Sequence, residues 1–173
     1  GAEALRQLEV FGKKPDCVVA GVGTGGTIMG LAKSFKAVNP HCIARPLEPK
    51  NSPTLSTGYK TGAHKIAGIS DEFIPPICKL NELDSVVSVD DIDSIIMAQK
   101  LSRELGIGVG ISSGANFIGS VMSLIENGVD STCVTVFADD NKKYLSTDYA
   151  KTFEPKDEYI SSHIVLTGIR TVR

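Results

Sequence analysis

Residues 21–27 read Gly-Val-Gly-Thr-Gly-Gly-Thr. An apolar run, Cys17-Val18-Val19-Ala20, leads in like a strand, and Ile28-Met29-Gly30-Leu31-Ala32 leaves with a helical pattern. Gly21, Gly23, Gly25 and Gly26 let the backbone bend tightly and aim its N–H groups at a bound oxyanion. The helix that follows adds the positive end of its dipole. Thr24 and Thr27 place hydroxyl donors in the same turn. The chemistry this spacing serves is phosphate binding.

Two kinds of phosphate fit. Gly21, Gly23 and Gly26 satisfy G-x-G-x-x-G, and Glu48 follows 22 residues after Gly26, where a nicotinamide-dinucleotide module keeps its ribose-binding acid. Against that reading, Pro46 and Pro49 flank Leu47-Glu48 and suit a loop or strand end. The two threonines also offer more donors than a bridging pyrophosphate uses, whereas a terminal phosphate dianion employs them. The loop alone leaves both readings open.

A second glycine pattern bears on the choice. Gly106, Gly108 and Gly110 alternate with Ile107, Val109 and Ile111. On a strand, period two packs the branched residues on one face and leaves the other bare. A bare face weakens a strand unless something approaches its backbone. Ser112 shares that face at the strand's end, where open α/β sheets bind ligands. Ser113 is placed to cap a helix beginning near Gly114. Either both serines are caps and the glycines incidental, or the bare face is a slot for a flat ring with the Ser112 hydroxyl at its edge. Joined to the phosphate loop, the slot describes a flat aromatic phosphate, and pyridoxal 5′-phosphate meets that description.

Strand and helix patterns alternate around these motifs. An amphipathic helix opens the chain (Leu5, Leu8). It is followed by a strand over 16–21, a helix over 26–38 stopped by Asn39-Pro40, and a short strand over 42–47. Residues 49–70 lack periodicity and read as a long functional or disordered loop. A strand over 85–89 leads to a helix over 90–105, with Ser88 and Asp91 as its capping pair and Gly106 as its stop. A strand over 107–111, a helix over 114–127 and an apolar strand over 132–138 complete the pattern. The expected fold is α/β, a largely parallel open sheet flanked by helices. Residues 1–150 read as one cofactor-binding lobe and 151–173 as a C-terminal tail.

Bulk properties narrow the function classes. A length of 173 residues supports one substantial core. The net charge of −2 gives no attraction for nucleic acid or an anionic membrane. No apolar run reaches the length of a bilayer span. Cys17, Cys42, Cys78 and Cys133 lack metal-ligand spacing, so no metal is expected. They read as free thiols of a reducing, cytoplasmic compartment. The chain opens without Met inside an amphipathic segment, as part of a longer protein would.

From about Pro15 to Thr147 the sequence resembles the cysteine synthase (O-acetylserine sulfhydrylase) and cystathionine β-synthase family of pyridoxal-phosphate enzymes. The resemblance rests on four ordered motifs: Ala20–Thr27, His64-Lys65-Ile66-Ala67-Gly68-Ile69, Val109–Ala115 and Tyr144-Leu145-Ser146-Thr147. It implies the cofactor lobe of a fold-type II enzyme, with Gly23, Thr24, Gly25, Gly26 and Thr27 on the cofactor phosphate. Ser112 would bond the pyridine nitrogen, and Gly68 would lie beside the substrate. A neutral hydroxyl at that nitrogen leaves it largely unprotonated, which suits β-elimination followed by addition. The implied partners are an amino-acid substrate, O-acetylserine, and a sulfur nucleophile, sulfide, giving L-cysteine in a homodimeric full-length enzyme. Cystathionine β-synthase-type replacement with another thiol is the alternative.

Three departures stand out. Ser70-Asp71-Glu72-Phe73 replaces the Gly-Ala-Gly-Phe of many cysteine synthases, leaving the nucleophile open. Ala138 stands where proline is common. No segment resembles the family's Schiff-base lysine, so no catalytic residue is assigned here. Lys65 lies at a different position, and His64 is expected to hydrogen-bond within its loop. The chain alone is therefore expected to be inactive, which also leaves room for a non-catalytic lobe.

Overall fold

The structure, a computed structural model, describes residues 1–172. Four strands, β1 (Cys17–Gly21), β2 (Ile43–Pro49), β3 (Val87–Val89) and β4 (Cys133–Val134), form one parallel sheet in the order β3-β2-β1-β4. Parallel strands need crossovers, and the helices α1 (Ala2–Val10), α2 (Gly26–Val38), α4 (Asp91–Leu105) and α5 (Ile111–Asn127) surround them. A further single turn, α3 (Thr54–Thr57), lies in the long loop.

The alternation along β1 sorts the layers. Val18 and Ala20 pack with Ile28, Leu31 and Phe35 of α2 on one face. Val19 joins Leu47, Val87, Ile95, Ala115 and Ile118 on the face covered by α4 and α5. Buried on both sides, β1 has no polar face to show, which explains its unbroken apolar run. Phe35 and Ile28 are fully enclosed, and each contributes roughly 1.5–3 kcal/mol by leaving water.

Several boundaries differ from expectation. The segment 107–111 forms no strand of the sheet. Val109 makes one antiparallel bridge to Asp140, and Ile111 already belongs to α5. Its glycines serve the chain itself: a Cβ on Gly110 would lie 2.1 Å from Asp139 Oδ1 and 2.6 Å from the Tyr144 ring. At Gly108 and Gly110 the bare face is thus covered, by Asn141 and by Asp139 and Tyr144. Ser112 accordingly lies in the first turn of α5 rather than at a strand end, and Gly110, not Ser113, is the N-cap. The strand expected over 132–138 pairs only at Cys133–Val134, on the sheet edge with β1 as its sole neighbour. Conversely, β2 runs through both prolines, Pro46 opposite Ala20 and Pro49 opposite Val89. Proline's fixed φ is compatible with extended backbone and removes one donor at each position.

Asp90 caps α4, its Oδ1 accepting from the N–H groups of Ile92 at 2.8 Å and Asp93 at 3.1 Å. The expected Ser88 and Asp91 pair does not form. Ser88 instead donates to Glu48. Gly106 closes α4 at φ +70°, as its stop position requires. From Tyr149 onward the chain lies along α4. The buried Asp93 carboxylate accepts from the N–H groups of Ile160 and Ser161, and Gln99 and Lys100 donate to carbonyls of the same segment. Among the described residues, no helix is long and apolar enough to cross a membrane.

Candidate functional site

In this strand order, β1 stands where the connections reverse, with β2 on one side and β4 on the other. Ligands of open α/β sheets bind beyond the carboxyl ends of such strands. A cleft of about 430 Å³ lies there. Its walls include Gly23, Thr24, Gly25, Gly26 and Thr27 after β1, Gly68 from the long loop, and Ser112 from α5. Residues singled out from three separate stretches of sequence thus converge on one crevice.

Two helix N-termini open on it. The N-cap of α2 is Gly25 and that of α5 is Gly110; neither carries a capping side chain, the Gly26 N–H reaches Thr24 Oγ1 only at a long 3.5 Å, and neither helix has an acid in its first turn. The contrast with α4, capped by Asp90 and carrying Asp91 and Asp93, is chemical. Bare helix starts leave N–H donors and positive dipole ends for an anion. Thr24 and Thr27 stand exposed at the α2 start. At the other end of the cleft the Ser112 side chain, 8% exposed, makes no hydrogen bond to another described residue. Neither serine acts as a cap: the Ser113 hydroxyl is buried without a partner. Phosphate donors at one helix start and a free hydroxyl at the other fit a flat ring that carries a phosphate.

The glycine loop is also shaped by the protein. Gly25 has φ +88°, and a Cβ there would meet Cys78 at 2.7 Å. Its bare α-carbon turns toward Cys78, so a larger residue at 25 would displace the loop itself. A Cβ on Gly23 would lie 2.6 Å from the carbonyl oxygen of Gly68, which places the loop carrying Gly68 directly over the glycine loop.

Four polar side chains of the cleft were given no role by sequence reasoning. Asn116 follows Ser112 by one helical turn, a spacing that could have flagged it. β1 and β4 pair through Val18 and Val134 and then part. Past that point, Thr135 Oγ1 donates to the Val19 carbonyl at 2.7 Å. Asn116 accepts from the Gly21 N–H and donates to the Val136 carbonyl, both at 2.8 Å. The other three are Asp139, Lys143 and Tyr144. Asp139 Oδ2 accepts from the Tyr144 phenol at 2.6 Å and from Lys143 Nζ at 2.6 Å. The hydrogen bond to Asp139 holds the Lys143 ammonium above its ordinary pKa, and burial pushes the Tyr144 phenol up.

Lys65 points away to an ion pair with Asp148, joined by Lys151. His64 does not bond within its loop: its Nδ1 is buried without a partner. Glu48 is fully buried and lies outside the cleft, accepting from the N–H groups of Leu55 and Ser56 and from the hydroxyls of Ser56 and Ser88. It has no reach to a ribose, which removes the structural basis of the dinucleotide reading. A separate groove of about 540 Å³ between α4 and residues 145–155 contains none of the glycine-loop residues.

Comparisons with known proteins agree with this fold. A probable cysteine synthase of Bacillus subtilis (strain 168) is 39% identical over 146 residues, covering 84% of this chain and 47% of the relative. The crystal structure of a hydrogen sulfide-producing enzyme from Fusobacterium nucleatum superposes with a TM-score of 0.94 at 54% identity, over 98% of this chain and 51% of that one. An O-acetylserine dependent cystathionine beta-synthase from Helicobacter pylori matches at a TM-score of 0.75 and 33% identity, covering 83% of this chain and 46% of its own. The chain spans about half the length of the relatives it matches. The family model described as pyridoxal-phosphate dependent enzyme matches residues 1–139, and the chain belongs to that family.

Proposed function

We propose that the protein to which this chain contributes about half is a pyridoxal-phosphate-dependent β-replacement enzyme. In this reading it exchanges the β-substituent of O-acetylserine for sulfide and forms L-cysteine. The observation that carries the reading is the pair of uncapped helix starts facing one cleft, with Thr24 and Thr27 at one and the unpartnered Ser112 hydroxyl at the other. When bound, pyridoxal phosphate supplies the electron sink that lets an amino acid lose and regain a group at its β-carbon. The protein's part is to hold and orient. Thr24, Thr27 and the N–H groups of Gly23–Thr27 take the phosphate. Ser112 offers its hydroxyl to the ring nitrogen without adding charge there. Gly68 borders the substrate.

Among the described residues, Lys143 is the one lysine lining the cleft. Its amine is bound to Asp139 and kept protonated, the opposite of what a nucleophilic amine needs. The lysine that carries the cofactor accordingly belongs to the other half of the protein, and this chain alone has no synthase activity. The relative that is 54% identical is named for sulfide production, which favours a second use of the same site, in which L-cysteine enters, sulfide leaves its β-carbon, and water or a second thiol forms the new bond there. Asp71 and Glu72, exposed just after the Gly68 rim, bear on that choice and on which thiol is accepted. A homodimer and a cytoplasmic location travel with this reading; the four free cysteines support the location.

The combined substitution Thr24→Ala and Thr27→Val in the full-length protein tests the phosphate assignment. Two charge-assisted hydrogen bonds are lost, so the dissociation constant for pyridoxal phosphate rises about a hundredfold. Both side chains are exposed, and the thermal midpoint of the cofactor-free protein stays put. Fluorescence titration reads the affinity. Unchanged affinity, or tight binding of a nicotinamide dinucleotide, would reject the assignment.

A further inference from the structure

Ser70 is the one non-glycine residue among those described with a positive φ, +58°. L-residues populate this region sparsely, and a side chain stays there only where its surroundings hold it. Three hydrogen bonds do so. The Ser70 N–H donates to the Val22 carbonyl at 2.8 Å. Its hydroxyl donates to the Ser52 carbonyl at 2.7 Å and lies 2.9 Å from Thr54 Oγ1. With its single hydrogen given to Ser52, Ser70 accepts from Thr54. Ser52, Thr54 and Ser70 are all buried.

The arrangement joins three segments. Through Val22, Ser70 is tied to the stretch between β1 and the anion loop. Through Ser52 and Thr54 it is tied to the start of α3. Directly before it, Gly68 and Ile69 form the cleft rim: the Gly68 carbonyl covers the α-carbon of Gly23, and Ile69 covers that of Gly21. Directly after it, the chain emerges into solvent at Asp71 and Glu72.

We propose that Ser70 is a positioning residue that fixes the height of the Gly68 rim above the glycine loop and thereby sets the clearance at the substrate end of the cleft. The assignment of that end to substrate rests on the function proposed above; the clamp itself rests on the geometry of 52–54 and 68–70. Ser70 touches neither substrate nor cofactor, and it acts through the backbone of Gly68 and Ile69.

Two variants of the full-length protein test the clamp. Ser70→Gly keeps easy access to positive φ but loses the hydroxyl. Ser70→Ala loses the hydroxyl and keeps the backbone cost. In both, amide hydrogen exchange over residues 66–72 speeds up about tenfold, while exchange in β1 and α5 is unchanged. The KM for the amino-acid substrate rises about fivefold with kcat within about twofold, because the rim that borders the bound substrate is loosened. Ser70→Asn, which tolerates positive φ and retains a donor, restores part of the KM. A purely structural serine predicts a lower thermal midpoint with unchanged KM and no exchange change confined to 66–72, and that result would overturn the proposal. If the wild-type protein neither binds pyridoxal phosphate nor turns over substrate, the function reading fails and the exchange measurement alone decides the clamp.

Discussion

With Ser112 at the ring nitrogen of a β-replacement enzyme, as proposed above, Ser112→Asp in the full-length protein lowers turnover by about a hundredfold and shifts the absorption of the bound cofactor. Position 112 is the second residue of α5, in a first turn where a carboxylate interacts favourably with the helix dipole. The substitution therefore leaves the fold as stable as before or slightly more so. Its electrostatic effect falls on the cleft. An anion placed at the ring nitrogen raises that nitrogen's pKa, and the protonated ring draws electrons more strongly than β-replacement calls for. The size of the loss follows what single misplaced charges or donors cost in other preorganised sites. Steady-state turnover, absorbance across pH and a thermal melt separate the possibilities. A normal melt with normal turnover and an unchanged spectrum would mean that Ser112 has no partner on the ring.

Gly114→Ala destabilises the protein by about 3 kcal/mol, at the upper end of what overpacking costs. A Cβ at Gly114 would sit 2.1 Å from the Ser94 carbonyl oxygen and 2.7 Å from the Ala98 N, both backbone atoms of α4. Backbone within a helix cannot rotate aside, so α4 and α5 must separate along their length. Because α5 carries Ser112 and Asn116 into the cleft, cofactor affinity falls with stability. Gly30→Ala in α2 is the matched control. Nothing lies within 4 Å of a Cβ there, so the exchange gains roughly 0.5–1 kcal/mol from helix propensity alone. Urea unfolding midpoints of the two variants move in opposite directions. Equal shifts would show that the contact at 114 does not limit the packing of the two helices.

The layered α/β fold was readable because its signals are local. The apolar run of β1, the helical spacing of α2 and α4, and the stop at Gly106 each depend on near neighbours. The glycine turn between β1 and α2 was readable for the same reason, since its glycines follow a strand and precede a helix within seven residues, but those residues alone left two kinds of phosphate open. What escaped depended on distant partners. The alternation of Gly106, Gly108 and Gly110 has strand period, yet Gly108 and Gly110 are small to admit Asn141, Asp139 and Tyr144, which lie some thirty residues on. Glu48 stands at the expected distance for a ribose ligand and is instead consumed by the turn at 54–56. The long loop shows no period because side chains pin it from outside: Glu48 holds the turn at 55–56, while Asp91 and Asp148 hold Lys65 by its N–H and its ammonium. Asn116 was signalled only by its one-turn spacing from Ser112, and Ser70 only as a departure from a common glycine; what each holds in place depends on partners that are distant in sequence.

The parting of β1 from β4 has one further consequence. Where two parallel strands diverge, each leaves peptide groups that must find new partners or be exposed to an apolar interior. Here the Asn116 amide substitutes for a missing peptide unit, answering Gly21 on one side and Val136 on the other, while Thr135 answers Val19. The crevice is thus propped open by the length of a side chain, with its polar backbone satisfied on both banks. Such an opening does not close by hydrophobic collapse, and a ligand need not force the strands apart to enter. This wall of the site comes preorganised, so the affinity gained there is not spent on rearranging the sheet.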